Sequence, residues 1–220
     1  MGSSPNRNCI FVGAPGSGKG TQAKKIQEFL RIPHISTGDI LRAEVSQGTA
    51  LGLEVKEILA AGKLVNDELM LKIIKSRFQK SDVGLGFILD GYPRNLSQAK
   101  SLSQVFAELK IKDPIVFFFD VPKSLLVSRL TGRLSCSKCG SVFHSEFNRP
   151  RVANVCDNCG ASSLVQRADD NEETAVRRLD VFESQTRPML DFYQDSKQLQ
   201  QLDGGASLEA VTDKILKALK

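Results

Sequence analysis

The sequence of 220 residues predicts an α/β fold in which a parallel five-stranded sheet is flanked by helices. Apolar runs alternate with stretches of helical periodicity through most of the chain, as expected for a sheet with helices on both sides. The most apolar run, at residues 115–120, is typical of a strand buried on both faces of such a sheet. A glycine-rich stretch at residues 13–21 separates the first apolar run from the first helical pattern, which is the context of a phosphate-binding loop.

The other elements follow in order along the chain. Strands are predicted at residues 9–12, 34–35, 86–90, 115–120 and 200–202. Helices are predicted at residues 22–31, 67–78, 97–109, 123–131, 172–196 and 208–219. Asp67 is the predicted cap of the second helix, and Pro188 is expected to kink the fifth. Residues 36–65 hold helical patterns and no good strand, so they predict a small helical insertion.

The charge distribution favours a small polyanionic ligand. The 30 basic residues outnumber the 25 acidic ones, and the net charge of +5 permits a nucleic-acid binder. The arginines, however, occur singly rather than in a block. Arg129 and Arg133 are four residues apart, so they share a face if their helix extends that far. The single arginines near turns or helix faces are Arg42, Arg94, Arg129, Arg133, Arg167 and Arg178.

The chain has no feature of a secreted or membrane protein. No apolar run approaches the length of a membrane span, and the polar residues at the start carry no secretory signal. We therefore expect a cytoplasmic protein that does not bind membranes.

The glycine-rich loop predicts a nucleotide phosphate site. Its glycines let backbone N–H groups turn inward, and the helix that follows directs its positive end to the same place. Lys19 then reaches the β- and γ-phosphates. Gly20 occupies the position where a serine or threonine usually follows the lysine, and the hydroxyl comes one residue later, at Thr21.

Four cysteines predict a structural zinc site. Cys136 and Cys139 form one Cys-x-x-Cys pair, and Cys156 and Cys159 form another, with the spacing of a four-thiolate site. Two disulfides or free thiols are the alternatives, and the cytosol keeps thiols reduced. Short strands are expected at residues 141–144 and in the stretch up to Val155. Four cysteines complete a tetrahedron, so His144 is predicted to be a surface residue.

The zinc module alone is compatible with nucleic-acid binding, as in other zinc ribbons. It contains few basic residues, and Phe143 and Phe147 are its only aromatic side chains, whereas a nucleic-acid platform needs more of both. About forty residues with little apolar content cannot build a core unaided. We therefore expect the metal to act as a structural crosslink.

Four motifs together resemble those of adenylate kinases. They are Gly13-x-Pro-Gly-x-Gly-Lys-Gly-Thr21, Ser36-Thr-Gly-Asp39, Asp90-Gly-Tyr-Pro-Arg94 and Arg167-x-Asp-Asp170. The cysteines resemble those of the long-lid bacterial form, and the similarity extends from about Asn8 to Leu219. It implies a P-loop nucleoside monophosphate kinase fold with three parts. These are a core at residues 1–35, 66–131 and 171–220, a monophosphate-binding insertion at 36–65, and a zinc-binding lid at 132–170.

The resemblance also implies an activity, the reversible transfer of a phosphoryl group from ATP to AMP with Mg²⁺, giving two ADP. The implied catalytic residues are Lys19, Asp90, Arg94, Arg133, Arg167 and Arg178. The implied ATP-binding residues are Gly16, Ser17, Gly18, Lys19, Gly20, Thr21, Arg129, Arg133, Val142, Phe143 and Ala206. The implied AMP-binding residues are Thr37, Arg42, Lys63, Leu64, Val65, Gly91, Tyr92, Pro93, Arg94, Gln98, Arg167 and Arg178.

The physics of phosphoryl transfer agrees with this set. The reaction requires the protein to position the substrates and to stabilise charge, and it requires no nucleophile from the protein. One lysine and a ring of arginines provide both functions. Asp90, at a strand end, can hold waters on Mg²⁺. Because such an enzyme opens and closes on two sides, we expect a monomer.

Two alternatives stay open. A GTP:AMP kinase or another nucleoside monophosphate kinase is the first, because backbone contacts at residues 142–143 and at Ala206 discriminate poorly between ATP and GTP. The second is a zinc-ribbon nucleic-acid-binding protein with a regulatory nucleotide switch. The single arginines and the second nucleotide site favour the kinase over this switch.

Overall fold

The computed structural model describes residues 6–219, so the first five residues of the predicted core lie outside the described part. The strands are β1 (Asn8–Gly13), β2 (His34–Ser36), β3 (Phe87–Asp90), β4 (Ile115–Asp120), β5 (Arg133–Cys136), β6 (Val142–His144), β7 (Leu164–Val165) and β8 (Leu199–Asp203). The α-helices are α1 (Lys19–Leu30), α2 (Thr37–Gln47), α3 (Ala50–Ala60), α4 (Asp67–Phe78), α5 (Leu96–Glu108), α6 (Lys123–Thr131), α7 (Glu172–Val181), α8 (Leu190–Asp195) and α9 (Leu208–Leu219). Strands and helices thus alternate as the sequence predicts.

The main sheet confirms the predicted five parallel strands. Their order is β2-β3-β1-β4-β8, and each neighbouring pair is parallel. The chain leaves β1 and places β3 on one side of it and β4 on the other. Such a reversal opens a crevice at the carboxyl end of the central strand, where open α/β sheets bind ligands. The glycine-rich loop begins there.

Both faces of the sheet are buried, which explains the nearly continuous apolar runs. On β1, Ile10 and Val12 belong to one apolar cluster, and Cys9 and Phe11 belong to another on the opposite face. Phe11 contacts Phe117 edge-on, with ring centroids 5.8 Å apart. No helix within residues 6–219 is both long and apolar enough to cross a membrane.

Two adjacent polar residues could each cap the start of α4, and the structure shows which of them does so. Helix α4 is capped by Asn66, whose side chain accepts hydrogen bonds from the backbone N–H groups of Glu68 and Leu69. Asp67, the predicted cap, is instead the first residue of the helix. Both residue types are favourable caps, and an acidic residue in the first turn also suits the helix dipole. The prediction was therefore wrong by one residue.

The long helix predicted at residues 172–196 is interrupted in the middle. After α7 the chain forms a π turn at Phe182–Thr186 and a 3₁₀ turn at Arg187–Met189 before α8. Pro188 lies in the 3₁₀ turn, where its missing N–H breaks the α-helical ladder. The hydroxyl of Thr186 donates to the carbonyl of Arg94 at 2.7 Å, so the interruption connects this helical segment to the loop after β3.

The helical insertion consists of α2 and α3, which pack closely. A Cβ on Gly52 would lie 2.1 Å from the carbonyl oxygen of Glu44, so only glycine allows this approach.

The cysteine-containing segment forms a separate antiparallel sheet in the order β6-β5-β7. The strand predicted toward Val155 is wrong, because Asn148 forms only an isolated bridge with His144. Beyond it Pro150 has no N–H to donate, and the N–H of Arg151 binds the side chain of Asp157 at 3.0 Å. The third strand is β7, two residues long.

Tyr92 carries a buried hydroxyl without a hydrogen-bond partner among the described residues. The side chain is 1% exposed and packs in the larger apolar cluster. An unpaired buried hydroxyl costs about 1–3 kcal/mol of desolvation. We predict that Tyr92→Phe raises the free energy of unfolding by about 1 kcal/mol. Urea denaturation measures it. Tyr193→Phe is the matched control, because its hydroxyl is not among the buried unpartnered atoms; equal effects of both substitutions would contradict the interpretation.

Candidate functional site

A cleft with a volume of about 540 Å³ lies at the carboxyl ends of the central strands. Core, insertion and cysteine-containing segment all contribute to its wall. The predicted site residues that line it are Gly16, Ser17, Gly18, Lys19, Gly20, Thr21, Arg42, Leu64, Asp90, Gly91, Pro93, Arg94, Arg129, Arg133, Val142, Phe143, Arg167, Arg178 and Ala206. The predicted residues Thr37, Lys63, Val65, Tyr92 and Gln98 are absent from this lining.

The glycine-rich loop holds the lysine inside it. Lys19 Nζ donates to the carbonyls of Gly13 at 2.6 Å and Ala14 at 2.9 Å, and lies 3.3 Å from the Ser17 hydroxyl. Gly16 and Gly18 have φ values of +84° and +91°, a conformation that other residues rarely adopt. The loop therefore wraps around an ammonium group, which its carbonyls hold in place.

Burial lowers the affinity of the Lys19 amine for its proton. Removal from water lowers the pKa of Lys19 to about 8, and the nearby Arg94, Arg178 and Arg133 lower it further, while Asp90 acts in the opposite direction. A polyanion placed against Lys19 would restore the charged form.

Asp90 ends β3 beside the first turn of α1. Its Oδ2 lies 3.2 Å from Nε2 of His34, and a Cβ on Gly20 would lie 3.7 Å from the same oxygen. Burial acts to raise the pKa of Asp90, but the hydrogen bond with His34 and the charge of Lys19 outweigh it, so the pKa lies below its usual value. Asp90 is therefore a carboxylate at neutral pH.

The insertion faces the loop after β3. The Thr37 hydroxyl donates to the carbonyl of Gly91 at 2.8 Å, and Arg94 Nε donates to the same carbonyl at 2.8 Å. Arg42 Nη2 donates to Asp39 Oδ1 at 2.6 Å on the rim of the cleft. Burial, with the neighbouring positive charge of Arg178, lowers the pKa of Arg94 to about 10.

Gln98 is hydrogen-bonded at both ends of its amide. Its Oε1 accepts from the backbone N–H of Arg94 at 2.7 Å, and its Nε2 donates to Asp67 at 2.7 Å. Asn95 also donates to Asp67, at 3.1 Å. In this arrangement Gln98 fixes the backbone of the arginine loop from behind the cleft.

Two arginines of the cleft share one buried carboxylate. Arg133 donates to both oxygens of Asp170 through Nε and Nη2, and Arg178 Nη1 donates to Asp170 at 3.3 Å. Asp170 is 0% exposed. Arg178 also pairs with Asp169 at 2.9 Å. Arg167 donates to the Ser135 hydroxyl at 3.0 Å, and burial with nearby positive charges lowers its pKa to about 10.

Arg129 lies on the far wall, where Nη1 donates to the carbonyl of Gly204 at 3.1 Å. Helix α6 ends at Thr131, so Arg129 and Arg133 do not share a helix face. They reach the cleft from a helix and from the strand that follows it.

The prediction of His144 as a surface residue is wrong, since it is 8% exposed. Its Nε2 lies 3.0 Å from the carbonyl of Ser128, its Nδ1 accepts from the N–H groups of Glu146 and Phe147, and its ring stacks on that of Phe147. A completed cysteine tetrahedron says nothing about where a neighbouring histidine packs.

Sequence reasoning assigned no role to the side chains that hold the charged groups in place. His34 binds Asp90, Asp39 binds Arg42, and Asp169 and Asp170 bind the arginines. A signal existed for Asp169 and Asp170, which belong to a quoted motif. No sequence signal identified His34, because its partner is a neighbour only across the sheet.

The four cysteines form a cluster suited to one metal ion. All four Sγ atoms lie within 4.8 Å of one another, and the Cys136–Cys159 and Cys139–Cys156 sulfur distances are both 3.6 Å. None of them is in a disulfide. A tetrahedron with Zn–S bonds of about 2.3 Å has edges of about 3.8 Å, so the donor set and its spacing fit Zn²⁺.

The two cysteine pairs have the same local structure. Gly140 N–H donates to the carbonyl of Cys136 and Gly160 N–H donates to that of Cys156, each at 2.8 Å. Both glycines have φ near +70°, at +67° and +69°. The repeated turn therefore presents two sulfurs from each side. Lys24 on α1 donates to the carbonyl of Cys139 at 3.1 Å, which links this module to the core.

We predict about one zinc ion per purified chain and a loss of stability without it. Cys136→Ser removes one thiolate, which should lower the melting temperature by roughly 5 °C or more. Metal analysis and thermal unfolding measure both effects. Ser137→Ala, an exposed change in the same turn, is the control and should retain the metal. Unchanged metal content in Cys136→Ser would contradict the assignment.

Comparison with known proteins agrees with the motifs. The adenylate kinase family model matches residues 11–198. An adenylate kinase of Geobacillus sp. (strain WCH70) is 47% identical over 204 residues, which cover 93% of this chain and 94% of that protein. One from Methanothrix thermoacetophila is 46% identical, covering 96% of this chain and 98% of the relative. One from Clostridium perfringens (strain SM101 / Type A) is 44% identical, covering 96% and 97%. The chain belongs to the adenylate kinase family.

Proposed function

We propose that this protein transfers the terminal phosphoryl group of ATP to AMP reversibly, giving two ADP. The observation that carries the proposal is that the phosphate loop and the arginine loop after β3 line the same cleft. One phosphate-binding loop would serve any nucleotide hydrolase. A second set of cations opposite it, from the insertion and from Arg94, calls for a second phosphorylated ligand.

The phosphate loop and the far wall form the proposed ATP site. Residues 16–21 would surround the β- and γ-phosphates with backbone N–H groups, and Lys19 would add a charge. Arg129, the backbone at Ala206, and residues 142–143 would bound the adenine. All of them line the same cleft.

The insertion and the loop after β3 form the proposed AMP site. Arg42 and Arg94 would bind the AMP phosphate, since both line the cleft and their fork of N–H donors matches phosphate oxygens. Thr37 and Gln98 hold this site together through Gly91 and the Arg94 backbone. Lys63, Leu64 and Val65 would contribute their backbone, and Tyr92 and Pro93 the loop itself.

The proposed reaction needs no nucleophile from the protein. An oxygen of the AMP phosphate attacks the γ-phosphorus of ATP, the bond from that phosphorus to the bridging oxygen breaks, and ADP leaves. Negative charge spreads over the transferred group, where Lys19, Arg133, Arg167 and Arg178 would stabilise it.

The site also fits a magnesium ion. Asp90 is a carboxylate beside the phosphate loop, and its Oδ1 has no hydrogen-bond partner within residues 6–219. Carboxylates that bind through waters, together with substrate phosphates, are the usual partners of Mg²⁺. When bound, the ion would neutralise charge on the phosphates. Thr21 would place its hydroxyl on the same side.

We further propose that the insertion at 36–65 and the zinc-containing lid at 132–170 move on the core. Closing both would exclude water, which otherwise competes with AMP for the phosphoryl group. The contact between Lys24 and the Cys139 carbonyl supports a lid that closes onto α1. A cytoplasmic location, a monomeric state and the absence of nucleic-acid or membrane binding stay predictions from the sequence.

A coupled assay tests the proposed reaction and its alternatives together. Purified protein with Mg²⁺ and ATP plus AMP should form ADP, and Lys19→Met should lower the rate more than tenfold, a barrier increase above ~1.4 kcal/mol. Assays with GTP in place of ATP, and with CMP, UMP or GMP in place of AMP, test whether the protein is another nucleoside monophosphate kinase. Circular dichroism checks that the variant is folded. No ADP from ATP and AMP would overturn the proposal, and a salt-dependent gel shift with nucleic acid would favour the nucleotide-switch alternative.

The pKa of Lys19 predicts how activity depends on pH. Because burial lowers this pKa to about 8, the free enzyme loses the ammonium charge as pH rises through that value. We expect kcat/KM for ATP to fall above pH 8, while kcat at saturating ATP falls later, since bound phosphates favour the charged amine. Lys19→Arg is the control. Its guanidinium stays charged, so its activity, although lower than that of the parent, should not decline above pH 8. The same decline in Lys19→Arg would assign it to another group.

A further inference from the structure

Asp90 lies beside the phosphate loop, and His34 is the one side chain among residues 6–219 that hydrogen-bonds its carboxylate. The His34 Nε2 to Asp90 Oδ2 distance is 3.2 Å. Both side chains are largely buried, at 7% and 12% exposed, and both line the cleft. The two residues are thus a pair inside the site rather than on its surface.

The sheet brings the two residues together. Strands β2 and β3 are parallel, with His34 in register with Ile88 and Ser36 in register with Asp90. The His34 side chain therefore reaches along the strand direction to the last residue of β3. An ionised carboxylate only accepts hydrogen bonds, so Nε2 of His34 carries the hydrogen.

The pair occupies one oxygen of the carboxylate and leaves the other open. Oδ2 accepts from His34, whereas Oδ1 has no partner in the described part of the chain. Lys19, the nearest cation of the loop, is held by the carbonyls of Gly13 and Ala14 instead. Without His34, no hydrogen bond from residues 6–219 would fix the rotation of this carboxylate.

We propose that His34 is a positioning residue that fixes Asp90 through Oδ2, so that Oδ1 faces the donor nucleotide and its divalent cation. The inference rests on the proposed function for the presence of that nucleotide and cation. A carboxylate held on one side binds more tightly than one that must first be ordered, because partners behind a metal-binding group set its orientation. A purely structural pair would stabilise β2 and β3 and leave cation binding unchanged.

The test measures how tightly Mn²⁺ binds to the complex of the full-length protein with β,γ-methylene-ATP. The proton relaxation rate of water is the readout of binding. His34→Leu should bind Mn²⁺ about tenfold more weakly in this complex. His34→Gln should bind close to the parent, because its amide Nε2 can donate from a similar position. Nucleotide affinity without the cation should be the same in all three. Ile35→Val is the matched control, since it disturbs the packing of the same strand without touching Asp90.

The outcomes separate the roles. Parent-like Mn²⁺ affinity in His34→Leu, with lowered stability, would overturn the proposal, as would failure of a folded His34→Gln to restore binding. If His34→Leu does not fold, His34→Gln is compared with His34→Asn, whose amide is one bond too short to reach Asp90. Weaker Mn²⁺ binding by the asparagine variant supports the proposal, and equal Mn²⁺ affinities of the two variants overturn it. The parent is assayed for ADP formation in parallel. A parent that forms no ADP contradicts the proposed function alone, since Mn²⁺ binding requires no transfer.

Discussion

The site depends on a carboxylate that is removed from water completely. Asp170 is 0% exposed and accepts hydrogen bonds from Arg133 and Arg178, which come from different elements, β5 and α7. A buried charge is tolerated only when it is paired and hydrogen-bonded. Asp170 satisfies this condition with two guanidinium groups and, in doing so, fixes their separation. Losing either arginine would leave a partly compensated buried charge, so the three groups act as one unit.

This unit explains how so many cations can converge. Arg94, Arg167 and Arg178 all have lowered pKa values, chiefly because they are buried, and the positive charges of neighbouring arginines, Arg42 among them, lower the pKa of each further. Asp169 and Asp170 offset the repulsion between these charges through their ion pairs with Arg178. All three arginines line the cleft. The positive charge of the cleft therefore comes from arginines, of which Arg133 and Arg178 are paired with carboxylates.

The cysteine-containing segment is stabilised differently, because it is too small to build a large apolar core of its own. Its buried apolar cluster contains Phe143, Leu164 and two of the cysteines. Two cysteine turns of the same structure bring four sulfurs together, and a metal bound there would supply the cohesion that the apolar side chains cannot. Phe143 belongs both to this cluster and to the cleft wall. A metal held by the four sulfurs would therefore support a residue of the cleft wall.

Sequence alone predicted the sheet, the loop and the cysteine site, because each depends on local signals. Residues 115–120 are apolar throughout, and the glycines near Lys19 have a fixed spacing. The errors arise where tertiary packing decides. Asn66 and Asp67 are both good caps, so composition cannot choose between them. The burial of His144 depends on a carbonyl of α6, sixteen residues before it.

The same reasoning explains why the supporting side chains escaped prediction. His34 and Asp90 are 56 residues apart and meet only because β2 and β3 are adjacent in the sheet. A motif names the residue that touches a ligand, since its spacing within a loop is fixed. The partner that orients it comes from whatever strand or helix lies alongside. Identifying both therefore requires the strand order, and here the strand order places an imidazole beside the carboxylate at the end of β3.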